Sequence, residues 1–376
     1  MRRLFLFATV LATSLNAANY LMYVGTYTGK GSKGIYAFRF DPATGKFQDL
    51  GLAVATQNPS FLAVHPNGRF LYAVNEISHF ERMEHSGSIS SFSIDPVTSK
   101  LRLLNAQGSL GDGPCHLTLD KHGKSLIVAN YNNGSIAAYT VADDGLLNQS
   151  TAFLQHKGAG KIPHRQDGPH AHCVLLSPDE RFALVADLGL DEVLSYHFDV
   201  ARASLTENDP PFVKVAPGAG PRHLAFHPNG RFVYLINEVA STINTFAYDA
   251  QKGALRDLQT ISTLPSDYKG QNDTAEIQVH PSGKFVYGSN RGHDSIAVFG
   301  VDPKAGTLKA VEDVPTQGKT PRNFAIDPTG NYLLAANQQS NNIVVFKIDS
   351  ATGRLTATGE ILQAPSPVCL TFVPVN

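Results

Sequence analysis

The stretch "GPRHLAFHPNGRFVYLINE", residues 220–238, decides the fold. Two apolar runs flank His227-Pro228-Asn229-Gly230, a tetrapeptide suited to turning. Pro presets one backbone angle, Asn accepts turn geometry and Gly supplies a positive φ. The spacing predicts a tight antiparallel hairpin. Its open ends carry opposite charges, Arg222 and Glu238. Neither is needed for burying apolar strands.

The hairpin recurs along the chain. "SFLAVHPNGRFLYAVNE" (60–76), "AEIQVHPSGKFVYGSNR" (275–291) and "RNFAIDPTGNYLLAANQ" (322–338) share its shape. "CHLTLDKHGKSLIVANY" (115–131) and "HCVLLSPDERFALVADL" (172–188) are degenerate copies. Each is followed by a second strand, polar turn and return strand, as in "STINTFAYDAQKGAL" and "DSIAVFGVDPKAGTL". Four short strands in a repeat of roughly fifty residues are the signature of a β-propeller blade. No long stretch keeps a helical apolar period, which excludes an α/β fold.

The ends of the chain complete the count. "NYLMYVGTYTG" and "GIYAFRFDPATGKF" match the last three strands of a blade, and "PVCLTFVPVN" matches only the first. Residues 20–50 and 367–374 therefore belong to a seventh blade, with the C-terminal strand innermost. The expected fold is all-β: a seven-bladed β-propeller of four-stranded antiparallel blades, closed by the N- and C-terminal strands. It forms a single domain over residues 19–376, and closure hides strand edges that would otherwise be open.

Composition narrows the function. Hydrophobic residues at 42% and charged residues at 17% describe a globular chain with a real core. A net charge of −1 with no basic run argues against nucleic acid or an anionic membrane as partner. Arg2 and Arg3 precede "LFLFATVLATSL" and the small residues Ala17 and Ala18, which reads as a signal peptide over residues 1–18. The apolar run is too short to span a bilayer comfortably. The mature protein is expected to be exported, periplasmic or secreted, and a monomer free of the membrane. Cys115, Cys173 and Cys369 lie in apolar strand patterns without C-x-x-C spacing, and are expected to be free, buried thiols.

Comparing the repeats with one another locates a candidate site. With the second turn residue of each hairpin as origin, six positions before it stand Ser60, Cys115, His172, Arg222, Ala275, Arg322 and Val368. Ten positions after it stand Glu76, Tyr131, Leu188, Glu238, Arg291 and Gln338, with Thr26 in the closing blade. Both sets fall at the hairpin end opposite the turn, and the first strand of a blade lines the central channel. One mouth should therefore gather His172, Arg222, Arg322, Glu76, Glu238 and Arg291, above an interior of plain apolar or small residues such as Leu224 and Ile277. Residues that recur, such as Asn75, Asn130, Asn237, Asn290 and Asn337, or His65, His227 and His280 in the turns, are read as structural. The charged set differs from blade to blade. A ring of salt bridges is the plain alternative, but unlike charges in a concave mouth favour a ligand site.

The loop "KIPHRQDGPHAHC" adds His164, Asp167, His170 and His172 at the same end. A metal site on its H-x-H is the weaker reading, since no second ligand pair stands at fixed spacing. Gly168-Pro169 reads as a rigid turn delivering His170 to the channel. No P-loop or G-x-S-x-G elbow is present. Neither metal nor cofactor is expected.

At "GPRHLAFHPNGRFVYLINE", "VHPSGKFVYGSNRGHDSIAVF", "PHAHCVLLSPDERFALVADLGLDEV" and "TPRNFAIDPTGNYLLAANQQSNNIVVF" the sequence resembles the seven-bladed lactonase family. That family includes bacterial 6-phosphogluconolactonases and fungal carboxymuconate cyclases. The resemblance runs from about Tyr20 to Phe372. It implies a carboxylic ester hydrolase of carbohydrate metabolism, acting on a small-molecule lactone or organic anion. The family's active site of one His, two Arg and one Glu falls on His172, Arg222, Glu238 and Arg291, which the repeat comparison picks out independently. His170, His223, Arg322 and Glu76 would complete a substrate-binding rim. Glu238 or His172 would act as general base, with arginines binding the anion and the developing oxyanion. A lactone-forming cyclase and a non-catalytic exported binding propeller are the alternatives.

Overall fold

The computed structural model describes residues 19–29 and 31–375; the expected signal peptide lies outside the described residues. Seven four-stranded antiparallel sheets form the ring. Blade 1 starts with Leu62–Val64, blade 2 with Pro114–Leu119, blade 3 with Ala171–Leu176, blade 4 with Pro221–Phe226, blade 5 with Asp273–Val279 and blade 6 with Pro321–Ile326. In the closing blade Pro367–Val375 is innermost and pairs with Asn19–Thr26, which in turn pairs with Gly34–Asp41. The seventh blade is thus shared between the chain ends, as the sequence indicates.

The core is divided among the blade interfaces. Each of seven apolar clusters joins two neighbouring sheets. Met22, Phe38 and Phe40 of the closing blade pack on Leu334, Ile343 and Val345 of blade 6, and Leu235 and Phe246 of blade 4 pack on Leu184 and Val193 of blade 3. The second strands are buried throughout, as in Phe232–Asn237 and Tyr332–Asn337. They read as continuous apolar runs because both faces meet another sheet.

The recurrent residues are stitching. His227 Nε2 lies 2.9 Å from the carbonyl oxygen of Gly283 in the next blade, and His65 and His280 repeat the contact on Gly123 and Gly330 at 3.1 and 2.8 Å. Gly283 has a φ of +73°, and a Cβ there would meet the His227 ring at 2.7 Å. Glycine satisfies both demands. Asn130, Asn290 and Asn337 donate from Nδ2 to the carbonyls of Ser109, Thr263 and Thr316, tying each second strand to the linker that enters its blade. Cys115, Cys173 and Cys369 are all free and buried.

Candidate active site

The first strands carry an irregularity that hairpin spacing hides. In blade 4 Pro221 pairs with Asn237 and His223 with Ile236, so Arg222 is an extra residue in the ladder. Cys115, His172, Arg322 and Val368 hold the same bulged position. A bulge re-aims a side chain. Here it lets two successive residues face the channel, Arg222 with His223 and Arg322 with Asn323.

Glu238 is the hub of the mouth. Its Oε2 accepts from Arg222 Nε at 2.8 Å and forms an ion pair with Arg291 Nη2 at 2.8 Å, and its Oε1 accepts from Arg165 Nη2. The Arg222 and Glu238 side chains are only 3% and 8% exposed, so the pair is desolvated. Burial pushes the Glu238 carboxyl up, but Arg291, Arg222, Arg165 and Arg322 together outweigh it and bring it down to about 2. Burial brings Arg291 down to about 10, still a cation at neutral pH. Arg222 Nη1 also donates to Ala275 O and Arg291 Nη2 to Thr274 O, while the buried Arg291 Nε has no hydrogen-bond partner among the described residues.

A second pair faces the first. Glu76 accepts from Tyr27 Oη at 2.9 and 2.8 Å and from Ser60 Oγ at 2.5 Å. Arg322 Nη2 donates to the same Tyr27 hydroxyl at 3.0 Å, and its guanidinium lies 5.4 Å from the Tyr27 ring centroid. Between the pairs is a cavity of about 320 Å³ lined by Glu76, His172, Glu238, Asp273, Arg291 and Arg322, among others. Past Asp273 and Arg291 it continues into an open groove toward Gln271, Asn272, Gln338 and Gln339.

His172 is buried, with its ring 5.2 Å from that of His223 and 5.3 Å from that of Tyr131. Burial holds its imidazole well below 6.5, and Arg222, His223 and Arg322 push the same way. The ring is neutral at pH 7. Cys115 lies beside it, Sγ 3.9 Å from Nδ1. Burial raises that thiol well above its ordinary value, so it is not a thiolate nucleophile.

Two expectations need correction. His170 is not delivered to the channel: it stacks on Tyr131 at 4.5 Å, and its Nδ1 is 2.8 Å from the Tyr131 carbonyl oxygen. Its amide is held by Asp187. His164 is 95% exposed. From the same loop Arg165 reaches the cavity instead, because Gln166 beside it is buried and anchored to Leu188 O and Asp191. Nor is the channel below the mouth simply apolar. His116, His223, Glu276 and Asn323 are buried one residue deeper than the mouth positions. The bulges break the alternation from which an apolar interior would follow. Spacing could not reveal Tyr27 or Arg165; the rise in polarity one step deeper was readable by lining up the repeats at that position.

A family model described as lactonase, 7-bladed β-propeller, matches residues 21–372. The chain belongs to this family. The lactonase propeller is 37% identical to the 6-phosphogluconolactonase of Bacillus subtilis over 94% of this chain and 98% of that one. It is also 37% identical to a 6-phosphogluconolactonase of Formosa agariphila, over 81% of this chain and 86% of that one. The solved structure of a periplasmic gluconolactonase from Pseudomonas aeruginosa superposes with a TM-score of 0.89 at 36% identity, covering 96% of the lactonase propeller and all of that chain.

Proposed function

We propose that this lactonase propeller is exported and hydrolyses a neutral, unphosphorylated sugar lactone at the channel mouth. The charge balance of the mouth, taken over the cavity and the small pocket that Arg222 lines beneath it, carries this reading. By formal charge, four guanidiniums (Arg165, Arg222, Arg291, Arg322) stand against three carboxylates (Glu76, Glu238, Asp273), one positive charge in surplus. A sugar lactone binds neutral and gains one negative charge as its carbonyl becomes tetrahedral. One surplus cation matches that change. A phosphate dianion would ask for more. Export is supported by the Arg2-Arg3 segment and by the likeness to a periplasmic gluconolactonase.

The roles follow from the electrostatics. His172 is neutral and can take a proton from the attacking water. Glu238, at about 2 and ion-paired with three guanidiniums, is the poorer base. Its part is to hold the arginines in place. Arg291 and Arg322, which both line the cavity, would receive the oxyanion. No covalent intermediate is required.

The test is turnover of D-glucono-δ-lactone, its 6-phospho counterpart and a carboxymuconate, followed by pH-stat against the spontaneous rate. The reading expects the unphosphorylated lactone to have the highest kcat/KM. Preference for the phosphorylated lactone removes the charge argument. Cyclisation of the muconate alone makes the chain a cyclase, and no turnover of any of the three leaves a binding propeller.

A further inference from the structure

Below the mouth, Glu276 is buried without a full charge partner. Its Oε1 is 3.4 Å from His223 Nδ1 and accepts the Ile277 amide at 3.1 Å; its Oε2 accepts from Asn323 Nδ2. Around it, at the same depth, lie buried side chains from the first strands of other blades. His116 stacks on Phe61 at 4.1 Å, stands 5.3 Å from His223 and sets its Nε2 3.6 Å from Cys173 Sγ. Above these side chains, Arg222 anchors to Ala275 O, the residue before Glu276.

Every titratable group facing Glu276 can be assigned a charge. From blade 4, His223 lies well below 6.5 through burial, with Arg222 and Arg322 adding; from blade 2, His116 does so through burial, with His223 adding. Both are neutral. Burial pushes Cys173 of blade 3 and Cys369 of the closing blade up to about 12, so both remain thiols. Asn323 of blade 6 and Ser289, on the neighbouring strand of blade 5, carry no charge. Arg222 is the one fixed cation among them. Burial raises the Glu276 carboxyl to about 7, against the pull of Arg222.

We propose that the Glu276–His223 pair takes up a proton when an anion occupies the mouth above it. An anion on the arginines offsets the positive field that keeps the buried carboxylate ionised, and a proton from solvent then neutralises it. The inference rests in part on the lactonase reading. Hydrolysis of a neutral lactone yields a hydroxy acid that ionises to a carboxylate and one proton. The carboxylate stays on the arginines while the proton passes by way of His172, whose ring stands 5.2 Å from that of His223, to the pair below. Product and proton then leave together.

The test is calorimetric titration of the full mature protein with D-gluconate and with inorganic sulfate, both of fixed charge at about pH 7.5, in buffers of differing ionisation enthalpy. Uptake of about half a proton or more per bound anion is expected, with affinity rising as pH falls, by at most about tenfold per pH unit for one linked proton. Infrared difference spectra of the wild-type protein should show a protonated-carboxyl band on anion binding, and Glu276→Gln should lose both the band and the uptake. If Glu276→Gln fails to fold, the wild-type band decides alone. Binding without uptake, uptake that survives in Glu276→Gln, no wild-type band, or no binding of either anion overturns the proposal. Lactone turnover on the same preparation separates the two readings. Turnover without proton uptake sinks only this inference, and uptake without turnover sinks only the lactonase activity.

Discussion

The two ends of the channel use the same hairpins for opposite ends. At the turn end, His65, His227 and His280 repeat one contact, each ring reaching a glycine carbonyl of the next blade. At the mouth, one bulged position carries Cys115, His172, Arg222 or Arg322, and their side chains meet across blades. Repetition marks what holds the ring together; divergence at an equivalent position marks what it can do. The rule breaks if a mouth residue proves as bland as a turn histidine, or a turn histidine as necessary for turnover as a mouth residue.

The largest effect is expected at His172. His172→Asn should lower kcat by about 10²–10⁴ if the ring is the general base. Because that imidazole titrates well below 6.5, the acid limb of wild-type kcat/KM should lie below an ordinary histidine's value. A limb at or above 6.5 would transfer the role to another group.

Glu238→Gln comes next, as a loss of stability. Three guanidiniums would be left around an uncharged amide, at a cost of about 3–5 kcal/mol in urea unfolding. The sign with pH is fixed by direction: a carboxyl held at about 2 when folded, against an ordinary 4.5, stabilises fully above 4.5 and loses that contribution as pH falls toward 2. The wild-type Tm should therefore drop across this window more steeply than that of the variant. Equal slopes would mean that the network contributes nothing.

His227→Ala tests the other end. Losing one buried hydrogen bond should cost about 1–3 kcal/mol, with kcat/KM unchanged. A fall in turnover beyond the unfolded fraction would join the two ends of the channel functionally. The smallest effect is expected at Cys115. As a protonated thiol, its replacement in Cys115→Ala should change kcat by less than about threefold, and iodoacetamide should not inactivate the native protein. Rapid inactivation would make it a nucleophile.

The comparison also explains what could be read from sequence. The fold was legible because turn chemistry and period-two strands are local, and local signals repeated seven times reinforce one another. The shared end of Arg222, Glu238, His172 and Arg291 followed from hairpin spacing alone. The bulges were not legible, since one extra residue in a ladder leaves no mark on composition. Glu276 and its polar neighbours were readable by lining up the repeats one step deeper, but strict strand alternation hid that these positions face the channel as well. Arg165 was hidden for another reason: it reaches the site from a loop, and only the burial of Gln166 fixes where that loop lies.

The closing blade has a consequence for when the chain can fold. Tyr23 pairs with Thr371, so the first strand of the ring finds its inner partner only after nearly all the rest has been synthesised. Until residues 367–375 leave the ribosome, the apolar side chains of the first strand lack their inner neighbour, and two blade interfaces cannot be completed. Closure of the ring is therefore the last step that the topology allows, whatever the order in which the other six blades form.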